Sequence, residues 1–229
     1  MLNLNNVTLV ALHGGEKYLN ETIKALLHSS REINFYDVKL VTNNEVKNTY
    51  NKFKLEKCPS LNYEEYNKYC VFDLHKHIDT DFCLIIQYDG FVLFPDKWDA
   101  NFFNFDYIGA PWPIPDDNFS FRDINNVIQR VGNGGFTFRS KKLLQLASKL
   151  NLNWQLYHGF CHEDGYISVN NRHIYEKNEC KFAPLEVAKY FSHEIDIPEN
   201  KNIIPFGFHG KHTMYYKYFI ENEYFINLN

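Results

Sequence analysis

Residues 82–90 read FCLIIQYDG, and this stretch decides the fold. Its first five residues form an unbroken apolar run between polar neighbours, which is typical of a strand buried on both faces of a parallel sheet. The run leads directly into Gln87, Asp89 and Gly90. Sheets of this kind bind ligands beyond the carboxyl ends of their strands. The stretch therefore predicts a central strand that places a carboxylate at the ligand-binding edge of the sheet.

Earlier segments predict further strands of the same sheet. Residues 7–12 and 37–42 are rich in β-branched residues, and residues 18–30 between them carry apolar residues at helical spacing. This order is the βαβ opening of a parallel sheet. Frequent Pro, Gly, Asp and Asn predict loops and short strands over residues 95–135. Further helices are predicted over residues 63–78, 141–150 behind an N-cap at Ser140, and 162–170.

The chain is therefore predicted to form one α/β domain over residues 1–229, with a mostly parallel central sheet flanked by helices. Its net charge of −4, without a dense basic run, argues against a nucleic-acid partner. The five cysteines lack CxxC spacing and indicate neither a disulfide framework nor a zinc site. Apolar runs are too short for a signal peptide or a transmembrane span, so we expect a cytoplasmic protein, with peripheral membrane association left open.

Two residues are candidates for a metal centre. Asp89 leaves a buried strand into a glycine turn, and its hard carboxylate oxygens suit Mg²⁺ or Mn²⁺ held against a diphosphate. His209 lies between Gly207 and Gly210 in an aromatic setting, where a neutral imidazole would complete such a site. The alternatives are a plain turn aspartate, because Asp-Gly is a frequent turn dipeptide, and a structural histidine.

Two loops are candidates for contacts with sugars. The glycines around Asn133, namely Gly132, Gly134 and Gly135, allow the backbone to pass close to a ligand. A tight turn between strands has the same composition. Trp112 lies between two prolines, and indole faces pack well on the C–H faces of sugars. A buried tryptophan that closes its loop is the equal alternative.

An acidic pair is the candidate for acid–base chemistry. Glu163 and Asp164 come where a helix is predicted to begin, and the helix dipole there favours ionised carboxylates. An ionised carboxylate can accept a proton from an attacking sugar hydroxyl. Ordinary helix capping uses the same residue types for the same electrostatic reason, and the spacing does not separate the two interpretations.

Four segments, in their order and spacing, resemble a family of bacterial and viral glycosyltransferase-like domains over about residues 7–209. They are QYDG at 87–90, DYIGAPW at 106–112, GNGGF at 132–136 and ED at 163–164. That family resembles the GT-A superfamily, a Rossmann-like fold of nucleotide-diphospho-sugar transferases. The resemblance implies a glycosyltransferase that moves a sugar from a nucleotide-sugar donor to a glycan or glycolipid acceptor, in the synthesis of surface polysaccharide or glycoconjugates.

The resemblance also implies roles for individual residues. Asp89 matches the last carboxylate of the GT-A metal motif, His209 matches its late histidine ligand for Mn²⁺ or Mg²⁺, and Asp164, beside Glu163, matches the base of inverting members. Gln87 stands where the metal motif usually has its first aspartate, which is a departure. The strand ends at residues 13–15 and 42–44 are then expected to flank the nucleotide base. The donor nucleotide is expected against His13, Gly14, Thr42, Asn43, Gln87, Asp89 and Gly90, and the acceptor and sugar against Trp112, Asn133, Gly134 and Gly135.

Three other classes of protein share some of these features. A glycoside hydrolase also uses two carboxylates and aromatic sugar platforms, but it needs no metal bound to a diphosphate. A nucleotidyltransferase shares the metal-holding strand end, yet it would need basic residues around a triphosphate, and the region near Asp89 offers only Lys97. A non-catalytic sugar-binding module is the third alternative, and Gln87 gives it support.

Overall fold

The computed structural model describes residues 1–46 and 52–221 of the 229-residue chain. Its strands are β1 (Leu2–His13), β2 (Ile33–Thr42), β3 (Lys54–Lys57), β4 (Phe82–Ile86), β5 (Gly90–Val92), β6 (Tyr107–Ile108), β7 (Phe136–Ser140), β8 (Ser192–His193) and β9 (Gly207–His209). Its α-helices are α1 (Leu19–Ser29), α2 (Tyr63–Phe72), α3 (Lys141–Lys149), α4 (Glu163–Gly165), α5 (Arg172–Lys177), α6 (Leu185–Phe191) and α7 (Met214–Glu221).

A six-stranded sheet in the order β3-β2-β1-β4-β7-β6 forms the centre of the molecule. Strands β3, β2, β1 and β4 are parallel neighbours, whereas β7 runs antiparallel to both β4 and β6. The prediction of a mixed α/β fold with a mostly parallel sheet is therefore confirmed. The antiparallel β7 was not foreseen, and its register matters because Phe136 lies opposite Ile86 at the end of β4.

Alternate residues of the central strands are buried on opposite faces of the sheet. Leu9 and Leu84 pack into an apolar cluster with helix α1, while Val10 and Ile85 pack into a second cluster with helix α2. All four side chains are almost fully buried. Burial on both faces explains why residues 82–86 are continuously apolar and confirms that prediction.

Two predicted helices differ in detail from the structure. Helix α2 begins with a capping box between Asn62 and Glu65 and ends at Phe72, after which Leu74–His77 form a 3-10 turn. The predicted helix over residues 162–170 is a short α-helical turn that continues as a π-helix over Tyr166–Asn170. A π-helix alters which side chains face inward, and such segments are frequent at functional sites. The predicted N-cap at Ser140 is confirmed, since its hydroxyl accepts from the Leu143 N–H.

A second, three-stranded sheet in the order β5-β9-β8 lies beyond the carboxyl end of β4. Strand β9 runs antiparallel to β5, and the register places His209 opposite Gly90. The chain between residues 86 and 90 thus enters β5 through a tight turn, in which the Gly90 N–H donates to the Gln87 carbonyl. Among the described residues, no helix has the length and apolar character needed to cross a membrane.

Candidate active site

The turn after β4 and strand β9 bring Asp89 and His209 together. Because Gly90 pairs with His209, the side chain of the preceding Asp89 reaches the imidazole, and Oδ1 of Asp89 lies 3.5 Å from Nε2 of His209. The Gly210 N–H also donates to the Asp89 carbonyl at 2.9 Å. Asp89 is buried, with 8% of its surface exposed, and it does not line either of the two cavities beside it, which are described below.

Both nitrogens of the His209 ring face oxygen atoms. Nδ1 lies 3.1 Å from Oε1 of Glu194, and Nε2 lies 3.3 Å from Oε1 of Gln87. The Gln87 amide is oriented by its nitrogen, which donates to the Tyr66 hydroxyl at 3.0 Å. Glu194 was not predicted from the sequence, because it lies in the loop after β8 without a recognisable motif around it.

The charge on His209 is set by its carboxylate neighbours. Burial alone lowers the pKa of the His209 imidazole, but hydrogen bonds and charge from Asp89 and Glu194 raise it to about 10. In the absence of a cation, His209 is therefore an imidazolium between two carboxylates at neutral pH.

The glycine-rich run connects His209 to the acidic pair. Nδ2 of Asn133 lies 3.1 Å from Nδ1 of His209, and the Gly135 N–H donates to Oδ1 of Asn133. The Gly134 N–H donates to Oδ2 of Asp164 at 3.1 Å. A methyl group at Gly135 would lie 2.0 Å from Nε2 of His209, so this position needs glycine for a close approach. The structure thus brings the predicted glycine run, acidic pair and histidine into one place.

The two members of the acidic pair have different surroundings. Nη2 of Arg139 donates to both carboxylate oxygens of Glu163, at 2.9 and 2.8 Å, and the Arg139 side chain is fully buried. The Arg139 guanidinium also lies 5.0 Å from the centre of the Tyr107 ring. A methyl group at Gly134 would lie 1.6 Å from Oε1 of Glu163. Glu163 is therefore held in a buried ion pair beneath the cleft, although the sequence placed it with Asp164 as a catalytic candidate.

Asp164 faces the cleft. Its Oδ1 accepts from the Gly165 N–H at 2.7 Å. Burial raises the pKa of this carboxyl and the charge of Glu194 acts in the same direction, while His162 and the Gly165 N–H lower it. A carboxylate with a raised pKa is a better proton acceptor than an ordinary aspartate.

Gln87, His209 and Asp164 line a cleft with a volume of about 370 Å³. Strand ends, the glycine run and the start of α4 supply its walls. The lining residues are Tyr63, Tyr66, Asn67, Gln87, Trp112, Phe121, Asn133, Gly134, Gly135, His162, Glu163, Asp164, Glu194, Ile195 and His209.

Trp112 lines the cleft as a buried residue, with 6% of its surface exposed. Phe121 stacks on its indole at 4.5 Å between ring centres. A methyl group at Gly132 would lie 1.9 Å from the indole. Since Phe121 covers one face of the ring, Trp112 offers no open stacking surface to a sugar, and the alternative of a tryptophan that closes its loop describes it better.

A second cavity of about 350 Å³ adjoins the cleft and shares Tyr63, Tyr66 and Gln87 with it. We call it the His13 pocket. It contains two of the predicted nucleotide-binding residues at the end of β1 and lies between α1 and the start of α2. The lining residues are Leu12, His13, Gly14, Gly15, Lys17, Tyr18, Thr22, Leu61, Asn62, Tyr63, Tyr66, Gln87 and Tyr88.

Thr42 and Asn43, predicted to flank the same nucleotide, do not line the His13 pocket. Thr42 lines a separate depression with Asn44, and its hydroxyl accepts from the Asn44 N–H. The side chain of Asn44 donates to the Gly15 carbonyl at 2.6 Å. The end of β2 therefore contacts the pocket residue Gly15 through Asn44, the last residue of the predicted segment 42–44.

An aromatic pair that was not predicted closes one side of the His13 pocket. The rings of Tyr18 and Tyr88 stack with 4.4 Å between their centres, and Nζ of Lys211 lies 3.9 and 4.5 Å from the two ring centres. Tyr18 is 43% exposed and adopts a left-handed backbone conformation with φ of 67°. A cation held over two aromatic rings, one residue from Asp89 on the Tyr88 side, is well placed to meet an anionic ligand.

The donor atoms around Asp89 are candidate ligands for a divalent cation. Among the described residues, no group of three or more His, Cys, Asp and Glu side chains is arranged to hold a metal. The oxygens Oε1 of Gln87 and Oδ1 of Asp89 nevertheless lie near Nε2 of His209, at 3.3 and 3.5 Å. Oδ1 of Asp89 is buried and has Nε2 of His209 as its polar neighbour, so these three atoms are candidate ligands for a divalent cation.

Comparisons with known proteins agree with this α/β architecture. Residues 48–209 match the model of the family described as "Protein of unknown function (DUF5672)", and the chain belongs to that family. No curated protein matches the chain in sequence.

The chain also resembles a solved structure, described as the crystal structure of a glycosyltransferase involved in the glycosylation of the major capsid of PBCV-1. The two share 13% sequence identity, with 95% of this chain and 98% of the other covered and a TM-score of 0.52. At this identity the likeness concerns the fold.

Proposed function

We propose that the protein is a glycosyltransferase of the GT-A type, which moves a sugar from a nucleotide-diphosphate donor to a hydroxyl of a glycan or glycolipid acceptor. The observation that carries the proposal is the meeting of Asp89, Gln87 and His209 at the end of β4, between the His13 pocket and Asp164. The likeness in fold to a glycosyltransferase supports it. Under this proposal the His13 pocket would take the nucleoside, Asp89, Gln87 and His209 would lie beside the diphosphate, and Asp164 would lie beyond them.

In this proposal Asp89 and His209, with Gln87, would hold Mn²⁺ or Mg²⁺. The cation would neutralise the negative charge that builds up on the leaving diphosphate. Glu194 accepts the Nδ1 proton of His209, which fixes the tautomer that turns the Nε2 lone pair toward Asp89. Gly135 leaves room for the ring on its Nε2 side.

Asp164 is the proposed general base. Its carboxylate takes the proton of the acceptor hydroxyl as the hydroxyl oxygen attacks the anomeric carbon of the sugar. The bond from that carbon to the diphosphate oxygen breaks, and the nucleoside diphosphate leaves with the electron pair. This single displacement inverts the anomeric configuration. Glu163 is proposed as a positioning residue, since Arg139 binds its carboxylate and its backbone N–H donates to Asn67 beside Asp164.

The proposal is tested by incubating the protein with a panel of sugar nucleotides and Mn²⁺ or Mg²⁺, and identifying the phosphate product. Release of a nucleoside diphosphate is expected, at first by slow hydrolysis and faster with an acceptor glycan. Release of pyrophosphate would identify a nucleotidyltransferase. Cleavage of oligosaccharides without a nucleotide would identify a hydrolase, and the absence of any turnover with binding of free glycans would identify a sugar-binding module.

A further inference from the structure

A tight turn at residues 157–160 carries an exposed phenylalanine to the rim of the cleft. The backbones of Tyr157 and Phe160 exchange two hydrogen bonds, each 2.9 Å long. Between them, His158 and Gly159 adopt left-handed conformations, with φ of 48° and 82°. Positive φ at both central residues is the type I′ geometry, which makes a compact two-residue turn. The turn therefore fixes the place of Phe160 relative to Tyr157.

Tyr157 anchors this turn to the start of α4. Its side chain is buried, and a methyl group at Gly165 would lie 2.4 Å from its Cγ. Its hydroxyl accepts from the Phe121 N–H at 2.6 Å. Because Gly165 directly follows Asp164, the anchored turn holds Phe160 beside the short helix that carries the proposed base.

The ring of Phe160 is open to a ligand. Phe160 is 63% exposed, and its ring centre lies 5.7 Å from that of His162, which lines the cleft together with Asp164. Phe160 itself does not line the cleft, so its ring lies just outside the cleft, at the rim. Because the turn is anchored, a ligand that binds this ring does not have to order a loop.

Other aromatic rings continue this surface on both sides of Phe160. Away from the cleft, the exposed ring of His158 packs edge-on against Phe119, with 5.2 Å between the ring centres. Phe119 is 57% exposed. Within the cleft, Tyr63 is 63% exposed and its ring lies 6.4 Å from that of His162. We call the surface formed by Tyr63, His162, Phe160, His158 and Phe119 the aromatic rim.

The chemistry of the aromatic rim suits a sugar chain. The C–H faces of sugars pack on flat rings, while their hydroxyls form hydrogen bonds with imidazole nitrogens and tyrosine hydroxyls. The Asp117 carboxylate accepts from the Phe119 N–H at 2.8 Å, so a negative charge lies beside the outer end of the rim. This charge disfavours an anionic bilayer as the partner of the rim. Trp112 is covered by Phe121, so its indole does not compete for this role.

We propose that the aromatic rim binds the acceptor as a glycan chain of several sugar units, with Phe160 stacked on a unit next to the one that faces Asp164. This inference rests on the proposed function, because it assigns the class of acceptor. The cleft holds the unit whose hydroxyl reacts. Since Phe160 lies outside the cleft, its ring reaches only the units beyond that one. An oligosaccharide is therefore bound more tightly than the monosaccharide at its end.

The test measures binding of the protein to a glycan array that carries chains from monosaccharides to hexasaccharides. The proteins are the wild type, Phe160→Ala, Phe160→Leu, Phe160→Trp and the control Tyr36→Ala. Tyr36 is a 58% exposed aromatic residue of β2 that lines neither cavity of the site. The wild type and Tyr36→Ala should bind at least one oligosaccharide about tenfold more tightly than its terminal monosaccharide.

The variants at position 160 separate stacking from simple apolar contact. Phe160→Ala and Phe160→Leu should each lose about tenfold in affinity for the oligosaccharide, with the affinity for the monosaccharide unchanged. Phe160→Trp should keep the wild-type affinity, because it keeps an aromatic face. If Phe160→Leu binds the chain as the wild type does, if affinity does not depend on chain length, or if no glycan binds the wild type, the inference is wrong.

Two further measurements separate this inference from the proposed function and from a membrane partner. Release of a nucleoside diphosphate, with acceptor kinetics that depend neither on chain length nor on Phe160, would overturn the inference while the proposed function stands. Glycan binding through Phe160 without turnover of any sugar nucleotide would support the glycan surface and overturn the transferase. Binding to phosphatidylglycerol vesicles that Phe160→Ala abolishes would identify a membrane surface and contradict the inference.

Discussion

Nε2 of His209 lies 3.5 Å from Oδ1 of Asp89, while Nδ1 of the same ring lies 3.1 Å from Oε1 of Glu194. The pairing of β5 with β9 creates this relationship, since it sets His209 opposite the residue that follows Asp89. A histidine between two carboxylates is an imidazolium in the free protein, and it becomes a metal ligand when it gives up the Nε2 proton.

The first prediction concerns that proton. Because the carboxylates raise the pKa of His209 to about 10, binding of Mn²⁺ at neutral pH should release about one proton, and the affinity for Mn²⁺ should rise about tenfold per pH unit between pH 6 and 8. Calorimetry in buffers of different ionisation enthalpy measures the released proton. Binding of Mn²⁺ with no proton release would place the cation away from Nε2.

The second prediction concerns the buried ion pair. Glu163→Gln leaves the guanidinium of Arg139 buried without its counter-charge, which should lower the free energy of unfolding by about 3–5 kcal/mol. Replacing both residues by apolar side chains, in Glu163→Leu with Arg139→Met, should lower it by less. Urea denaturation measures both. The control Glu176→Gln removes the exposed pair with Arg172 and should change stability by less than about 1 kcal/mol.

A small effect of Glu163→Gln on stability, with a large loss of turnover, would contradict the positioning role. It would indicate that Glu163 takes part in the reaction itself.

The third prediction concerns the proposed base. Asp164→Asn should keep the fold and the affinity for the donor, while transfer to the acceptor falls by about 10²–10⁴. Because burial raises the pKa of Asp164, kcat/KM of the wild type should fall on acidification at a pH above the ordinary aspartate pKa of about 3.9. Kinetics across the pH range, with donor binding measured in parallel, check both. Loss of donor binding in Asp164→Asn would assign this residue to the donor.

The fourth prediction concerns Trp112. Since its indole is buried and covered by Phe121, Trp112→Ala should lower the free energy of unfolding by about 3–5 kcal/mol, as expected of a core residue. Phe119→Ala, in the same loop but 57% exposed, serves as the control and should change little. A stable Trp112→Ala protein that only loses affinity for glycans would instead indicate that a sugar stacks on Trp112.

Local sequence patterns predicted much of the fold. The apolar run at 82–86 predicted β4 with its observed bounds, because burial on both faces leaves no polar positions. The antiparallel placement of β7 depended on pairing across the sheet, which local sequence does not encode. Similarly, helix α2 ends at Phe72, before its predicted end, because the backbone of Asp73 leaves the helical region.

In the candidate site, too, local sequence predicted some residues, while others depended on tertiary contacts. Short motifs located Asp89, the glycine run and Asp164, since each combines a special residue with a turn. They did not reveal that Arg139 binds Glu163, because Arg139 lies within the apolar pattern of β7. They also missed Glu194, which reaches His209 only through the second sheet. Whether Trp112 is covered depended on a loop residue, Phe121, whose position no periodicity indicates.

The most direct test of the central claim is the binding of sugar nucleotides to the wild type and to Asp89→Ala, followed by thermal unfolding with and without Mn²⁺. The control is Asp96→Ala, which removes an exposed carboxylate from the 3-10 turn after β5. At least one sugar nucleotide should stabilise the wild type and Asp96→Ala only when Mn²⁺ or Mg²⁺ is present, and should fail to stabilise Asp89→Ala. If no sugar nucleotide stabilises the wild type under any metal condition, or if Asp89→Ala responds as the wild type does, the proposed transferase centre is contradicted.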